Sequence, residues 1–153
     1  MPVAPPPIDD ELAAIADEFG FFSDWEERYS HLIDLGKSLP PLPEAAKTEA
    51  NRVRGCASQV WLTASATADQ PPRLRLAADS DAHIVRGLIA VVLRLYSDRT
   101  PEEIARLDPE ALFQKLGLSE ALSSQRANGL RAMIARIRGL AAATAADKPA
   151  PTG

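Results

Sequence analysis

One cysteine stands in the 153-residue chain, at position 56. It lies in the run Asn51-Arg52-Val53-Arg54-Gly55-Cys56-Ala57-Ser58-Gln59-Val60-Trp61-Leu62, beside a glycine and close to two arginines. Thiolate is the nucleophilic form of cysteine, and nearby cations such as Arg52 and Arg54 favour it. Gly55 permits a positive φ and lets another backbone or a ligand approach without a Cβ clash. These features suit a nucleophilic thiol on a tight loop. A lone cysteine is as readily a small, inert, buried hydrophobe, and the local pattern leaves both readings open.

The rest of the chain narrows the chemistry. A thiol enzyme acting on its own substrate needs a base or a resolving partner. No second cysteine exists, and His31 and His83 both fall in expected helices, where they read as structural. A cluster scaffold is excluded, because iron–sulfur ligation takes several cysteines or histidines. No metal site is expected.

The elements that must hold Cys56 can be read from periodicity. Leu12, Ile15 and Phe19 recur at helical spacing after a proline run, which predicts a first amphipathic helix from about Asp9. Ser23-Asp24-Trp25-Glu26 reads as a capping box that opens a second helix, with Trp25, Tyr29, Leu32 and Ile33 inward and Gly36 as its left-handed stop. Pro40, Pro41 and Pro43 then hold the chain extended or turning. From Gln59 to Thr67, and again at Leu74, Leu76 and Ala78, the pattern is that of strands, with Asp69-Gln70-Pro71-Pro72 as a turn between them. An antiparallel hairpin with one buried face is predicted, and Cys56 falls just ahead of its first strand.

After Asp79-Ser80-Asp81, the stretch Ile84 to Tyr96 is apolar on most sides and predicts a central buried helix, with the two acids capping its positive end. Thr100-Pro101-Glu102-Glu103 is a further helix start, and Asp108-Pro109 repeats the signal before Leu112, Phe113 and Leu116, with Gly117 as its stop. A last helix is expected from about Ser123 to Arg138, with Leu130, Met133, Ile134 and Ile137 inward. Arg131, Arg136 and Arg138 read as its solvated face.

Composition sets the outer limits. With 46% apolar and 25% charged residues the chain suits one globular domain. Of its 13 prolines, Pro2, Pro5, Pro6, Pro7, Pro149 and Pro151 mark the two ends. We therefore expect a disordered stretch over 1–7, a domain over 8–142 and a disordered alanine- and proline-rich tail over 143–153. The net charge of −4 excludes a global attraction to nucleic acid, and no apolar run approaches the roughly 20 residues that span a bilayer. No signal peptide is evident, so a cytoplasmic protein is expected, in keeping with a single free cysteine.

Gly55-Cys56-Ala57-Ser58-Gln59-Val60-Trp61 resembles the cysteine signature of the SufE family of cysteine-desulfurase sulfur acceptors. The run Asp79-Ser80-Asp81-Ala82-His83-Ile84-Val85-Arg86-Gly87-Leu88-Ile89-Ala90-Val91-Val92 resembles that family's acidic loop and central helix. Tyr96, Thr100-Pro101 and Arg126-Ala127-Asn128-Gly129-Leu130-Arg131-Ala132-Met133 continue the match in order. The resemblance runs from the Trp25-Glu26-Glu27-Arg28-Tyr29 helix to about Arg138, and ordered blocks on elements of the right type make it specific.

The resemblance implies an α/β (α+β) fold in which a small antiparallel sheet packs against several helices, as in iron–sulfur scaffolds of the IscU type. It implies that Cys56 accepts persulfide sulfur from a SufS-type cysteine desulfurase, stimulates that enzyme and passes the sulfur to a SufBCD-type scaffold. It further implies that Gly55, Ser58, Gln59 and Trp61 shape the cysteine loop, that Asp79 and Asp81 lie beside it, and that Arg126 steers it. No cofactor is expected in this chain; pyridoxal phosphate belongs to the desulfurase. A monomer or weak homodimer is expected. Val53, Val60 and Trp61 are positioned to shield the sulfur between transfers. The rival reading is a regulatory module that binds the desulfurase without carrying sulfur.

Overall fold

Apolar residues at helical spacing bury one face of each helix, and the hairpin buries one face of its sheet. The computed structural model describes residues 7–22, 24–54, 59–69, 71–108, 111, 114 and 124–146. Helix α1 spans Ile8–Gly20 and buries Leu12, Ile15 and Phe19, with Asp9, Asp10 and Glu11 in its first turn. Helix α2 spans Trp25–Ser38. Its N-cap is Asp24, whose carboxylate accepts the Glu27 N–H at 2.9 Å. The helix thus starts later than the Ser23 capping box predicts, on the adjacent carboxylate; Ser23 itself lies outside the described residues.

Gly36 is not the stop of α2. It is buried inside the helix, at the crossing with helix α3, which spans His83–Tyr96. A Cβ on Gly36 would meet the Gly87 N at 2.8 Å, and one on Gly87 would meet the Leu32 carbonyl oxygen at 2.0 Å. The two glycines let the helix backbones touch, a use of glycine for close approach rather than for positive φ. Helix α3 buries Ile84, Leu88, Ile89, Val91, Val92, Leu95 and Tyr96, as its composition predicts for a central helix. Arg94 ties it to α1 by donating to Glu11 at 2.8 Å and Glu18 at 2.5 Å. Burial alone would lower the Arg94 pKa, but the bonds to Glu18 and Glu11 outweigh it and hold the cation above its ordinary range.

Between α2 and the sheet the chain runs through Pro40 to Pro43 and two short 3-10 turns, Glu44–Ala46 and Glu49–Asn51. Strands β1 (Val60–Ala66) and β2 (Leu74–Ser80) pair antiparallel, with Val60 opposite Ser80, Trp61 opposite Asp79 and Ala66 opposite Leu74. Leu74, Leu76 and Ala78 face the core while Arg75 and Ala77 are exposed, so the expected hairpin and its alternation hold. At the far end of the hairpin the Leu74 N–H donates to the Arg99 carbonyl at 2.8 Å. This contact follows a turn in which Asp98 adopts φ 63°.

Helix α4 spans Pro101–Arg106 and carries the predicted capping box between Thr100 and Glu103. The helix expected after Asp108-Pro109, with Leu112, Phe113, Leu116 and Gly117, lies outside the described residues. Helix α5 spans Ser124–Ala146 and buries Leu130, Met133, Ile134 and Ile137 as expected. It does not end near Arg138: Ala141 is buried and Leu140 packs on the core, so inward contacts continue. Residues 143–146 belong to this helix rather than to a tail, because alanine is the strongest helix former. Positions 1–6 and 147–153, where disorder is expected, are outside the described residues. The fold is thus a small antiparallel sheet packed against helices, as expected.

Candidate functional site

Two buried valines flank Cys56 in the sequence and meet in the fold. Val53 and Val60 are 3% and 2% exposed, and the Val53 N–H donates to the Val60 carbonyl at 2.8 Å. Arg52 pairs with Trp61 in an isolated antiparallel bridge on the edge of β1 opposite β2. Val53 and Val60, on either side of Cys56 in the sequence, therefore meet at one sheet edge. Gly55, Cys56, Ala57 and Ser58 lie outside the described residues. Of the three residues expected to shield the sulfur, Val53 and Val60 are core residues and Trp61 is half-buried on the strand.

On the far side of Cys56 the register brings the acidic loop to Gln59. The Gln59 N–H donates to Asp81 Oδ1 at 3.1 Å, and the Asp81 N–H returns a bond to the Gln59 carbonyl at 3.3 Å. Asp81 therefore fastens Gln59 rather than capping α3. Asp79 does not cap it either. The N-cap of α3 is Ala82, with no side-chain bond, and its first turn holds no acid.

Asp79 is a buried carboxylate, 1% exposed, with four partners. It accepts the Leu42 N–H at 3.1 Å and the Ser80 N–H at 2.8 Å, and it pairs with Arg86 at 3.1 Å and Lys47 at 3.7 Å. Arg86 also donates to the Gly36 and Leu39 carbonyls, at 3.1 and 2.6 Å. Lys47 sits over the Trp61 ring, 5.5 Å from its centroid. One carboxylate thus joins the end of α2, the proline connector, β2 and α3 behind the cysteine loop. A buried charge is tolerated only when so paired and hydrogen-bonded.

The cations ahead of the cysteine are shared. Arg54, 77% exposed at its side chain, contacts Glu49 at 3.0 Å, and Arg52 contacts the same carboxylate at 3.6 Å. Arg52 and Arg54 thus share the one carboxylate of Glu49 ahead of Cys56. Arg126 lies in the first turn of α5, and its side chain is outside the described residues. His31 packs between Phe19 and Phe22, at 5.1 and 5.0 Å, and His83 is exposed at the start of α3. Arg138 donates to the Ala105 carbonyl at 3.3 Å.

Sequence reasoning missed Lys47, Arg86 and Arg136. Arg86 left a signal, a cation in the first turn of a largely apolar helix that follows a pair of acids. Lys47 and Arg136 left none, because their partners are distant in sequence. Arg136 is not a solvated residue: it donates to the Arg52 carbonyl at 2.6 Å and to the Ala50 carbonyl.

Among the described residues, no group of three or more His, Cys, Asp or Glu could hold a metal ion. Among them too, no helix is long and apolar enough to cross a membrane.

Residues 13–141 match the family model "SufE: Fe-S metabolism associated domain", which begins further upstream than the motifs alone reach. An uncharacterized SufE-like protein of Rhizobium meliloti (strain 1021) is 54% identical over 128 residues, 83% of this chain and 91% of that protein. A second, from Rhizobium etli, is 54% identical over 128 residues, 83% of this chain and 86% of its own. The solution structure of a hypothetical protein from Thermus thermophilus shares the fold, with a TM-score of 0.71 at 20% identity over 95% of this chain and 100% of that one.

Proposed function

This chain belongs to the SufE family, whose domain is associated with Fe–S metabolism, and from that premise we propose that it is a sulfur acceptor in which Cys56 carries the sulfur. The partner is a cysteine desulfurase, which holds the pyridoxal phosphate and forms a persulfide on its own cysteine. The Cys56 thiolate attacks the outer sulfur of that persulfide. A new bond forms between Cys56 and this sulfur, the old sulfur–sulfur bond breaks, and the desulfurase cysteine leaves as thiolate. The proton lost by Cys56 is regained by that leaving group. No net oxidation occurs, so no cofactor is needed in this chain.

The observation that supports this reading is the anchoring of the residues on both sides of the chain's one cysteine. One side is pinned by the Val53–Val60 bond and the other by the reciprocal Gln59–Asp81 pair. A single thiol has no internal partner to discharge a persulfide as a disulfide. The sulfur then passes onward to a scaffold for iron–sulfur cluster assembly.

The test is to incubate the chain with a cysteine desulfurase and sulfur-labelled L-cysteine. Label should become bound to the chain and be released by dithiothreitol. Stimulated desulfurase turnover without bound label would leave a regulatory binding module instead.

A further inference from the structure

We propose that Arg136, on the C-terminal helix, is a positioning residue for sulfur transfer, because it clamps the backbone arm over 50–53 that precedes Cys56. This deepens the sulfur-acceptor reading and rests on it.

The arm over 50–53 is short and sits on an open edge. Its inner side is tied to β1 by the Arg52–Trp61 pairing and the Val53–Val60 bond. In that register the carbonyl of Arg52 points away from β1, and the carbonyl of Ala50 lies in the 3-10 turn Glu49–Asn51 just ahead of it. Such carbonyls need a donor. Arg136 supplies it across 84 residues of sequence, with Nη1 on the Arg52 carbonyl at 2.6 Å and Nη2 on the Ala50 carbonyl.

Only a planar fork meets both. A guanidinium projects parallel N–H groups, whereas an ammonium is a point donor that cannot span two carbonyls in fixed geometry. Helix α5 is itself held in the core by Leu130, Met133, Ile134 and Ile137, so the clamp fastens the arm to a rigid body. Residues 50–53 ahead of Cys56 are therefore referenced to α5, while Gln59 after it is referenced to the end of β2 through Asp81. Displacing the backbone just ahead of a reactive group misplaces that group, and misplacement lowers the rate of transfer more than it lowers docking.

The test compares Arg136→Ala, Arg136→Lys and Arg136→Gln with Arg138→Ala, which removes a cation from the same helix at a contact with Ala105. Two readouts are taken on folded protein: amide hydrogen exchange over 50–54, and single-turnover sulfur transfer from the desulfurase. Arg136→Ala should speed exchange at Val53 and lower the maximal transfer rate about tenfold, the scale expected from losing charged hydrogen bonds that order a loop. The half-saturating carrier concentration should change less than about twofold. Arg136→Lys should not rescue the rate, and Arg138→Ala should match wild type.

If Arg136→Ala fails to fold, Arg136→Gln carries the same comparison, with a smaller loss in the same direction. Wild-type exchange and transfer in the Arg136 variants would overturn the proposal, as would full rescue by lysine. Absence of transfer by wild type itself would defeat the sulfur-acceptor reading. The exchange over 50–54 would still decide whether Arg136 orders the arm.

Discussion

Replacing Gly87 by alanine tests the crossing of α2 and α3 on which the site is built. The added Cβ would lie 2.0 Å from the Leu32 carbonyl oxygen and 2.6 Å from its carbon, both backbone atoms that no rotamer change can move. Ordinary contact needs about 3.5 Å, so the helices must part by roughly 1.5 Å. Overpacking of this kind costs about 1–3 kcal/mol, and parting the helices also loosens the bonds from Arg86 to the Gly36 and Leu39 carbonyls. A total loss of about 3 kcal/mol or more is expected, lowering the melting temperature by about 10 °C in a chain of this size. Urea unfolding followed by circular dichroism, with the slope checked against wild type, gives the value. Gly139→Ala is the control: nothing lies within 4 Å of its added Cβ. It should be neutral or gain up to about 1 kcal/mol from helix propensity. A Gly87→Ala protein within about 1 kcal/mol of wild type would refute the crossing.

Further predictions concern the site and its surroundings. Asp79→Ala leaves Arg86 and Lys47 without their shared carboxylate and the Leu42 and Ser80 N–H groups without an acceptor, so it should cost about 3–5 kcal/mol in urea unfolding. Asp81→Ala removes an exposed acceptor and should cost about 1 kcal/mol or less, while hydrogen exchange at the Gln59 amide rises clearly above wild type. Tyr96 is fully buried, and burial pushes its hydroxyl from 10.0 up to about 12, with Arg138 opposing the rise. The folded state thus favours the neutral form, and the stability this gives is intact below about pH 10. It should fall by about 2 kcal/mol as the pH rises to about 12. Tyr96→Phe should lack this part of the alkaline decline, a difference measured by unfolding both proteins at pH 8 and at the alkaline end.

Much of the architecture could be read from local pattern, and the exceptions share a cause. The hairpin was legible because Leu74, Leu76 and Ala78 alternate with wet positions beside a proline-rich turn, a signal with no competing reading. Thr100 capped as predicted because hydroxyl, proline and glutamate agree. Gly36 misled because a glycine near a helix end signals either a stop or a close approach, and only Gly87 on another helix distinguishes them. The alanine run after Arg138 offers little hydrophobic contrast, so its continuation as helix depended on the burial of Ala141 against the core.

The site was legible as a motif and opaque as a network. The glycine-cysteine run and the acidic pair are each contiguous in sequence. The bonds of Asp81 to Gln59, of Asp79 to Leu42, and of Arg136 to Ala50 and Arg52 join segments that only the folded chain brings together. Helix capping was the reasonable local expectation for Asp79 and Asp81. Tertiary donors on Leu42, Arg86 and Gln59 outcompeted it.

The central claim is that Cys56 holds the sulfur, and intact-protein mass spectrometry tests it most directly. Wild type and Cys56→Ser are each incubated with a cysteine desulfurase and L-cysteine, then weighed without reductant. The account predicts a gain of one or more sulfur atoms on wild type, reversed by dithiothreitol, and none on Cys56→Ser. No gain on either protein, with desulfurase turnover stimulated equally by both, would contradict it.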